Sequence, residues 1–205
     1  MLRIFGSGSG QIAGKKEGEN IRLFGPLGNG FDLVERDKTA VLVAGGVGLP
    51  PLYFLARKSL ADRTPIRKVI FIAGARTRSE MLEEKKLDNL DVALIRCTDD
   101  GSEGRKGTAV DILGEVLKEN RGCIVYACGP NSMLEKVDML VTQQQLSGFL
   151  SLEALMPCGY GICSGCAVMI KPAPDRGPTD DNRDYNLKRV CVEGPVFKCG
   201  EIIWP

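Results

Sequence analysis

Short apolar runs recur along the middle of the chain, each stopped by glycine or a polar turn and followed by a helix-like stretch. The first, Thr39-Ala40-Val41-Leu42-Val43-Ala44, ends at Gly45-Gly46-Val47-Gly48. Pro50 and Pro51 come next and suit a first helical turn, where a missing N–H costs nothing, so a helix is expected to run to about Ala61. The alternation continues with strand Lys68–Ala73, a helix near Ser79–Leu87, strand Val92–Cys97, helix Ala109–Glu119, strand Cys123–Ala127 and a helix from Ser132 to about Gln144. Apolar strands spaced by helices predict a parallel sheet covered on both faces, which is a doubly wound α/β fold.

Ligands of such sheets bind outside the carboxyl ends of the strands. The residues expected there form a set: Gly45, Gly46 and Gly48 after the first strand, Gly74-Ala75-Arg76 after the second, Thr98-Asp99-Asp100-Gly101-Ser102 after the third, and Cys128-Gly129-Pro130 after the fourth. Glycines let a pyrophosphate approach the backbone where a helix N-terminus offers free N–H groups. Arg76 could pair with a phosphate, and Asp99 and Asp100 could accept from ribose hydroxyls or an amide. Any one of these features alone is ordinary turn chemistry or a surface arginine; four such loops on one rim point to a nucleotide site.

The second source of chemistry is cysteine. Cys158, Cys163 and Cys166 fall in Met156-Pro157-Cys158-Gly159-Tyr160-Gly161-Ile162-Cys163-Ser164-Gly165-Cys166, a C-x4-C-x2-C spacing, and Cys191 follows in Arg189-Val190-Cys191. Plant-type ferredoxins present thiolates to a [2Fe–2S] cluster in this order. Glycines at 159, 161 and 165 suit a backbone that turns tightly and aims N–H groups at sulfur. Spacing alone leaves both Cys191 and Cys199 as the fourth ligand. A zinc knot is the competing reading, but it usually sets cysteines in separate C-x2-C pairs. There is no histidine, so a Rieske-type centre is excluded. Cys97 and Cys123 lie in apolar runs, where cysteine is usually a small buried hydrophobe.

Composition narrows the field. The 205 residues suffice for one to two domains. Hydrophobic residues at 43% and charged residues at 26% are ordinary for a globular protein, and a net charge of +1 gives no basic face for nucleic acid. No apolar run reaches the roughly 18 residues of a membrane span. Nothing resembles a signal peptide, which predicts a reducing, cytoplasmic setting in which stable disulfides are not expected. Pro172 to Asn186, rich in proline and aspartate, reads as a solvated loop between cluster ligands.

Taken together, Gly45-Gly46-Val47-Gly48 with Pro51-Leu52, the Cys128-Gly129-Pro130 triplet and the C-terminal cysteines resemble the ferredoxin-NADP reductase superfamily. Within it the chain resembles the electron-transfer subunits of type B dihydroorotate dehydrogenase. The segments that carry the likeness are Gly25-Pro26-Leu27-Gly28-Asn29-Gly30-Phe31, Asp99-Asp100-Gly101-Ser102 with Lys106-Gly107, Tyr126-Ala127-Cys128-Gly129-Pro130, and Arg189-Val190-Cys191 through Gly194-Pro195-Val196-Phe197. The resemblance runs from about Phe5 to Pro205. It implies Cys191 rather than Cys199 as the fourth ligand, and it places Cys128, Gly129 and Pro130 near a nicotinamide.

The resemblance also implies three parts: a remnant of a flavin-binding β-barrel at 1–36, an NAD-binding α/β domain at 37–147 and a cysteine-rich [2Fe–2S] domain at 148–205. The chain departs from the pattern in two ways. The interval between Cys166 and Cys191 is longer than usual, and the Arg-x-Tyr-Ser-type motif that grips FAD would stand before the first residue, so the chain reads as N-terminally shortened. Gly6-Ser7-Gly8-Ser9 resembles the pyrophosphate-contacting Gly-x-Gly-Thr segment, which makes Gly8 and Ser9 candidate FAD contacts; a flexible tail is the alternative.

The function implied is that of the NAD(H)-linked electron-transfer subunit of a multi-subunit oxidoreductase, moving electrons between NAD(H), a flavin and a [2Fe–2S] cluster, to or from an FMN-containing catalytic subunit such as dihydroorotate dehydrogenase or another redox enzyme. A hetero-oligomer is expected. The alternatives are a flavin-less iron–sulfur adaptor that docks a redox partner, and a zinc-stapled nucleotide-binding protein with a regulatory role. No side chain is needed as an acid or base in the first of these, which suits the lack of histidine.

Overall fold

β1 (Thr39–Gly45) is buried along nearly its whole length, as its unbroken apolar run requires, and it forms the middle of a seven-stranded sheet. The computed structural model describes residues 4, 6–32, 37–61, 68–82, 87–172 and 184–205. β2 (Lys68–Ala75) lies parallel to β1 on one side and β5 (Ile124–Cys128) parallel to it on the other, with Gly45 level with Gly74 and Ala44 level with Cys128. β3 (Ala93–Thr98) and the two-residue β4 (Arg105–Lys106) extend the β2 side. β6 (Ser147–Ser151) extends the β5 side in parallel, and β9 (Val196–Lys198) joins β6 antiparallel. The order is β4-β3-β2-β1-β5-β6-β9.

Successive residues of a strand point to opposite faces, and this sheet buries both. Ala40, Leu42, Ala44, Phe71 and Tyr126 pack with Leu52, Leu55 and Ala56 of helix α2 (Leu49–Ala61). Val41, Val43, Ile70, Ile72 and Val125 face α3 (Ala109–Glu119) and α4 (Asn131–Gln143). α3 starts where Thr108 accepts from the Asp111 N–H and the Asp111 carboxylate accepts from the Thr108 backbone, a reciprocal capping box.

The sequence reading expected a helix near Ser79–Leu87. The structure has a single 3-10 turn, Arg78–Glu80, after which Met81 is extended; residues 83–86 fall outside the described set. Thr77 and Ser79 hydrogen-bond each other, and Glu80 turns onto Arg76, so these polar side chains satisfy local groups in a turn rather than a longer helix. β6 and β9 were not foreseen, and they carry the sheet beyond residue 147.

The cysteine-bearing segment adds a hairpin, β7 (Ala167–Ile170) with β8 (Asn186–Arg189). Its buried residues Cys166, Ile170, Val190, Cys191 and Ile202 belong to the same core as α3 and α4. Asp138 of α4, 5% exposed, accepts from the Gly200 backbone N–H at 2.6 Å and from Trp204 Nε1 at 2.8 Å, which fastens the C-terminus to the sheet.

Near the N-terminus the described residues form the short exposed helix α1 (Ser7–Ala13) and an extended run with one bridge, Asn29 to Pro195. Phe31 packs edge-on against Tyr126, with ring centroids 5.7 Å apart. The Pro172–Asn186 loop expected from the sequence lies largely in 173–183, outside the described residues. Among the described residues, no helix is long and apolar enough to cross a membrane.

Candidate functional site

Parallel strands end on one rim, and there the loops after β1, β2, β3 and β5 enclose a cavity of about 540 Å3. Gly45, Gly46, Arg76, Asp99 and Pro130 line it, together with the start of α3 and with Ser132, Met133 and Lys136 of α4. Two larger hollows, about 740 and 630 Å3, lie beside the β7–β8 hairpin and beneath Trp204. Neither contains the Gly45–Gly46 loop, Arg76 or Asp99, so strand-end chemistry rather than size singles out the rim cavity.

The rim glycines divide by role. A Cβ on Gly48 would lie 1.9 Å from the Cys128 carbonyl oxygen, so Gly48 lets the β1 and β5 loops pack on one another. A Cβ on Gly129 would meet Met133 at 2.6 Å for the same reason. Gly46 faces open space on the cavity wall. Asp100 does not line the cavity: its carboxylate accepts from the Ser102 backbone and hydroxyl, and those bonds hold it below the usual carboxylate range. Cys128 is half-buried, which pushes its thiol up, and it too stands outside the lining. Gly8 and Ser9 lie in α1, where the Ser9 hydroxyl donates to the Gly6 carbonyl, and they are not lining residues either.

Arg76 donates through Nε and Nη2 to the two carboxylate oxygens of Glu80, each at 2.8 Å, and this pairing raises the guanidinium pKa. Glu80 lines the cavity and escaped the sequence reading; its four-residue spacing from Arg76 was the available signal.

The second site is built from two loops. Cys166 and Cys191 are buried at 3% and 5% exposure, Cys158 is half-buried and Cys163 is exposed, so the set reaches from the core to the surface. Cys166 Sγ donates to Cys191 Sγ at 3.3 Å, well beyond a disulfide bond, and all eight cysteines are free. Cys199 stands elsewhere, half-buried beside Gly148 and Asp138.

Backbone N–H groups converge on these sulfurs. Those of Cys163 and Tyr160 bring the Cys158 thiol down to about 6, the N–H of Cys191 lowers Cys166, and Gly165 donates to Cys163 Sγ at 3.3 Å. Burial pushes Cys191 up. Gly161 makes the turn possible with φ of 87° and no room for a Cβ, which would lie 2.5 Å from Val192. Among the described residues, no three or more Cys, Asp, Glu or His side chains are grouped as they would be around a single metal ion.

Arg189 ties the two loops together. Its Nη1 donates to the Gly161 carbonyl at 2.6 Å, while Nε donates to Glu193 at 3.1 Å, and hydrogen bonds from Arg189 hold the Glu193 carboxyl down at about 2. Asn29 adds a clasp from far away in sequence, donating its backbone N–H to the Gly194 carbonyl at 2.6 Å and its amide to the Glu193 carbonyl at 3.2 Å. Arg189 was legible as the residue two before Cys191. Asn29 carried no local signal for this role.

The donor set fits an iron–sulfur centre: four thiols, two of them eased toward thiolate by amide N–H groups, and no imidazole. With the strand-end cavity, it defines the class as an oxidoreductase with a nucleotide-binding α/β unit and an iron–sulfur segment.

Comparison with known proteins agrees. Residues 42–139 match the oxidoreductase NAD-binding domain and residues 153–203 the iron–sulfur cluster binding domain of dihydroorotate dehydrogenase B. The chain is 30% identical over 204 residues to the dihydroorotate dehydrogenase B (NAD(+)) electron transfer subunit of Desulforamulus reducens, covering 100% of this chain and 73% of that one. It is 34% identical over 208 residues to that of Bacillus cereus, covering 99% and 73%. The solved NADH-dependent reduced ferredoxin-NADP oxidoreductase, described for flavin-based electron bifurcation, superposes with a TM-score of 0.78 at 27% identity, covering 99% of this chain and 67% of that one. The chain belongs to the family of dihydroorotate dehydrogenase B electron transfer subunits.

Proposed function

We propose that this chain carries electrons between NAD(H) and an FMN-containing, dihydroorotate-oxidising subunit, with a [2Fe–2S] cluster held by Cys158, Cys163, Cys166 and Cys191. The observation that carries the reading is the Cys166–Cys191 pair, sulfurs 3.3 Å apart and buried in the core that α4 shares, with backbone N–H groups aimed at Cys158, Cys163 and Cys166 on the adjoining loop. When bound, the nicotinamide exchanges an electron pair as hydride, the cluster exchanges single electrons, and a flavin is the group able to do both.

The chain's own residues bind, orient and insulate. Gly46 leaves the backbone open to a diphosphate, Gly45 beside it makes room for Met133 and Pro130, and Asp99 supplies an acceptor for a ribose hydroxyl on the β2–β3 side. Gly48 and Gly129 fix the β1 and β5 loops against each other, which holds Cys128, Gly129 and Pro130 at the nicotinamide end. Gly8 and Ser9 are assigned to an FAD diphosphate. Cys166 and Cys191 would hold a cluster from the core side, and Cys158 and Cys163 from the surface side.

Leu155, Met156, Tyr160 and Ile162 surround that surface side and are 88%, 45%, 51% and 77% exposed, an apolar collar suited to the docking of the catalytic subunit in a hetero-oligomer. Eight free thiols suit a reducing, cytoplasmic setting.

The test is anaerobic purification followed by a visible spectrum with iron, zinc and flavin analysis. About two irons per chain, a brown colour and bleaching on adding NADH with flavin present are expected. Brown protein without flavin would favour the adaptor reading, and a colourless protein containing zinc would reject the cluster.

A further inference from the structure

We propose that Glu80 makes the strand-end cavity selective for dinucleotides without a 2′-phosphate, by keeping Arg76 closed in an ion pair. The inference rests on the reading of that cavity as the nucleotide site. In a doubly wound sheet, an acidic side chain accepts from the free ribose 2′-hydroxyl, whereas a nearby arginine accommodates a 2′-phosphate. This rim carries both residue types, so its sequence alone does not choose between the two ligands.

The geometry does. Arg76 follows β2 and spends two of its donors on the two oxygens of Glu80, at 2.8 Å each. That is the bidentate fork a phosphate would need. Arg78, the other arginine after β2, has its Nε 3.7 Å from the Glu103 carboxylate. Asp99 adds a further carboxylate on the cavity wall. Within the lining, one arginine therefore faces two carboxylates, Glu80 and Asp99, while the Arg78–Glu103 pair stands outside it. A phosphate monoester, close to a dianion at neutral pH, would have to displace Glu80 and then remain beside it. A ribose hydroxyl meets no such repulsion and can donate to a carboxylate oxygen.

Arg76 and Glu80 are 71% and 45% exposed, so the pair contributes little to folding and its removal leaves the fold intact. Its effect is on what the cavity accepts. Glu80→Gln keeps the shape, removes the charge and frees the guanidinium.

The experiment titrates NAD+ and NADP+ into the purified full chain by calorimetry, a readout independent of electron transfer. The parent protein is expected to favour NAD+. In Glu80→Gln, the ratio of NADP+ to NAD+ affinity is expected to rise about tenfold, the scale of one added charge-assisted hydrogen bond. The gain should shrink at high salt and disappear in the Arg76→Gln/Glu80→Gln double variant. A parent that favours NADP+, or an unchanged NADP+ to NAD+ ratio in Glu80→Gln, overturns the inference while leaving the nucleotide site in place. Binding of neither dinucleotide to the parent protein overturns the nucleotide reading itself, and the inference with it.

Discussion

The strand-end rim and the cysteine loops are both turns between elements, yet different forces hold them. At the rim, hydrogen-bonded parallel strands fix the loop roots in register, and glycines allow backbone to pack on backbone. The cysteine loop between β6 and β7 has no regular structure, and its sulfurs are positioned by a few N–H groups, the Arg189 bridge and the Asn29 clasp. Thiolates drawn together also repel one another, so a bound metal completes this site in a way the rim does not need. One site is preformed by the sheet; the other is finished by its ligand.

The largest effect is expected from Cys163→Ser. The variant should lose the iron–sulfur absorbance entirely while NAD+ affinity stays within about twofold, measured by visible spectroscopy and calorimetry; intact absorbance would reject this ligand. Gly48→Ala attacks the preformed side. A Cβ placed 1.9 Å from a carbonyl oxygen forces backbone apart, with an expected loss of about 3 kcal/mol and ~10 °C in Tm. Cluster absorbance should survive at low temperature, and an unchanged Tm would refute the close approach of the two loops.

A smaller effect separates the rim's local supports from its sheet. Thr108 hydrogen bonds hold the Asp111 carboxyl below its usual value, so the folded protein binds that proton less readily than the unfolded chain. The resulting stabilisation is fully present above the unfolded value of about 3.9 and fades as pH falls through the lower folded value. Asp111→Asn should therefore cost up to about 1 kcal/mol at pH 6 or above, given the exposure of this cap. The gap in urea midpoint between variant and parent should close on acidification. A gap that stays constant with pH would remove the charge from the explanation.

The same contrast explains what could be read in the sequence. The inner strands β1, β2 and β5 are apolar runs buried on both faces, β3 is apolar but only partly buried, and the ends of all four identified the rim. β6 is short, with serine at both ends, and β9 has three residues; both depend on tertiary partners more than on their own pattern. Where a helix was expected from Ser79, the chain makes only the Arg78–Glu80 turn, with Glu80 bonded back to Arg76. Spacing left Cys191 and Cys199 equal, since intervals of 24 and 32 residues after Cys166 can be routed in many ways; in the fold, Cys191 meets Cys166 and Cys199 turns toward Asp138. Asp100 was indistinguishable from Asp99 until its turn bonds to Ser102 were seen.

β9 comes from the segment that follows Cys191 and pairs antiparallel along β6. Without it, β6 would present unpaired N–H and C=O groups to any other chain with a free strand, the usual beginning of edge-to-edge aggregation. The iron–sulfur segment thus supplies the shield that keeps one copy of the sheet from adding to the next. Clipping the chain after β8 would yield sticky protein as well as a colourless one.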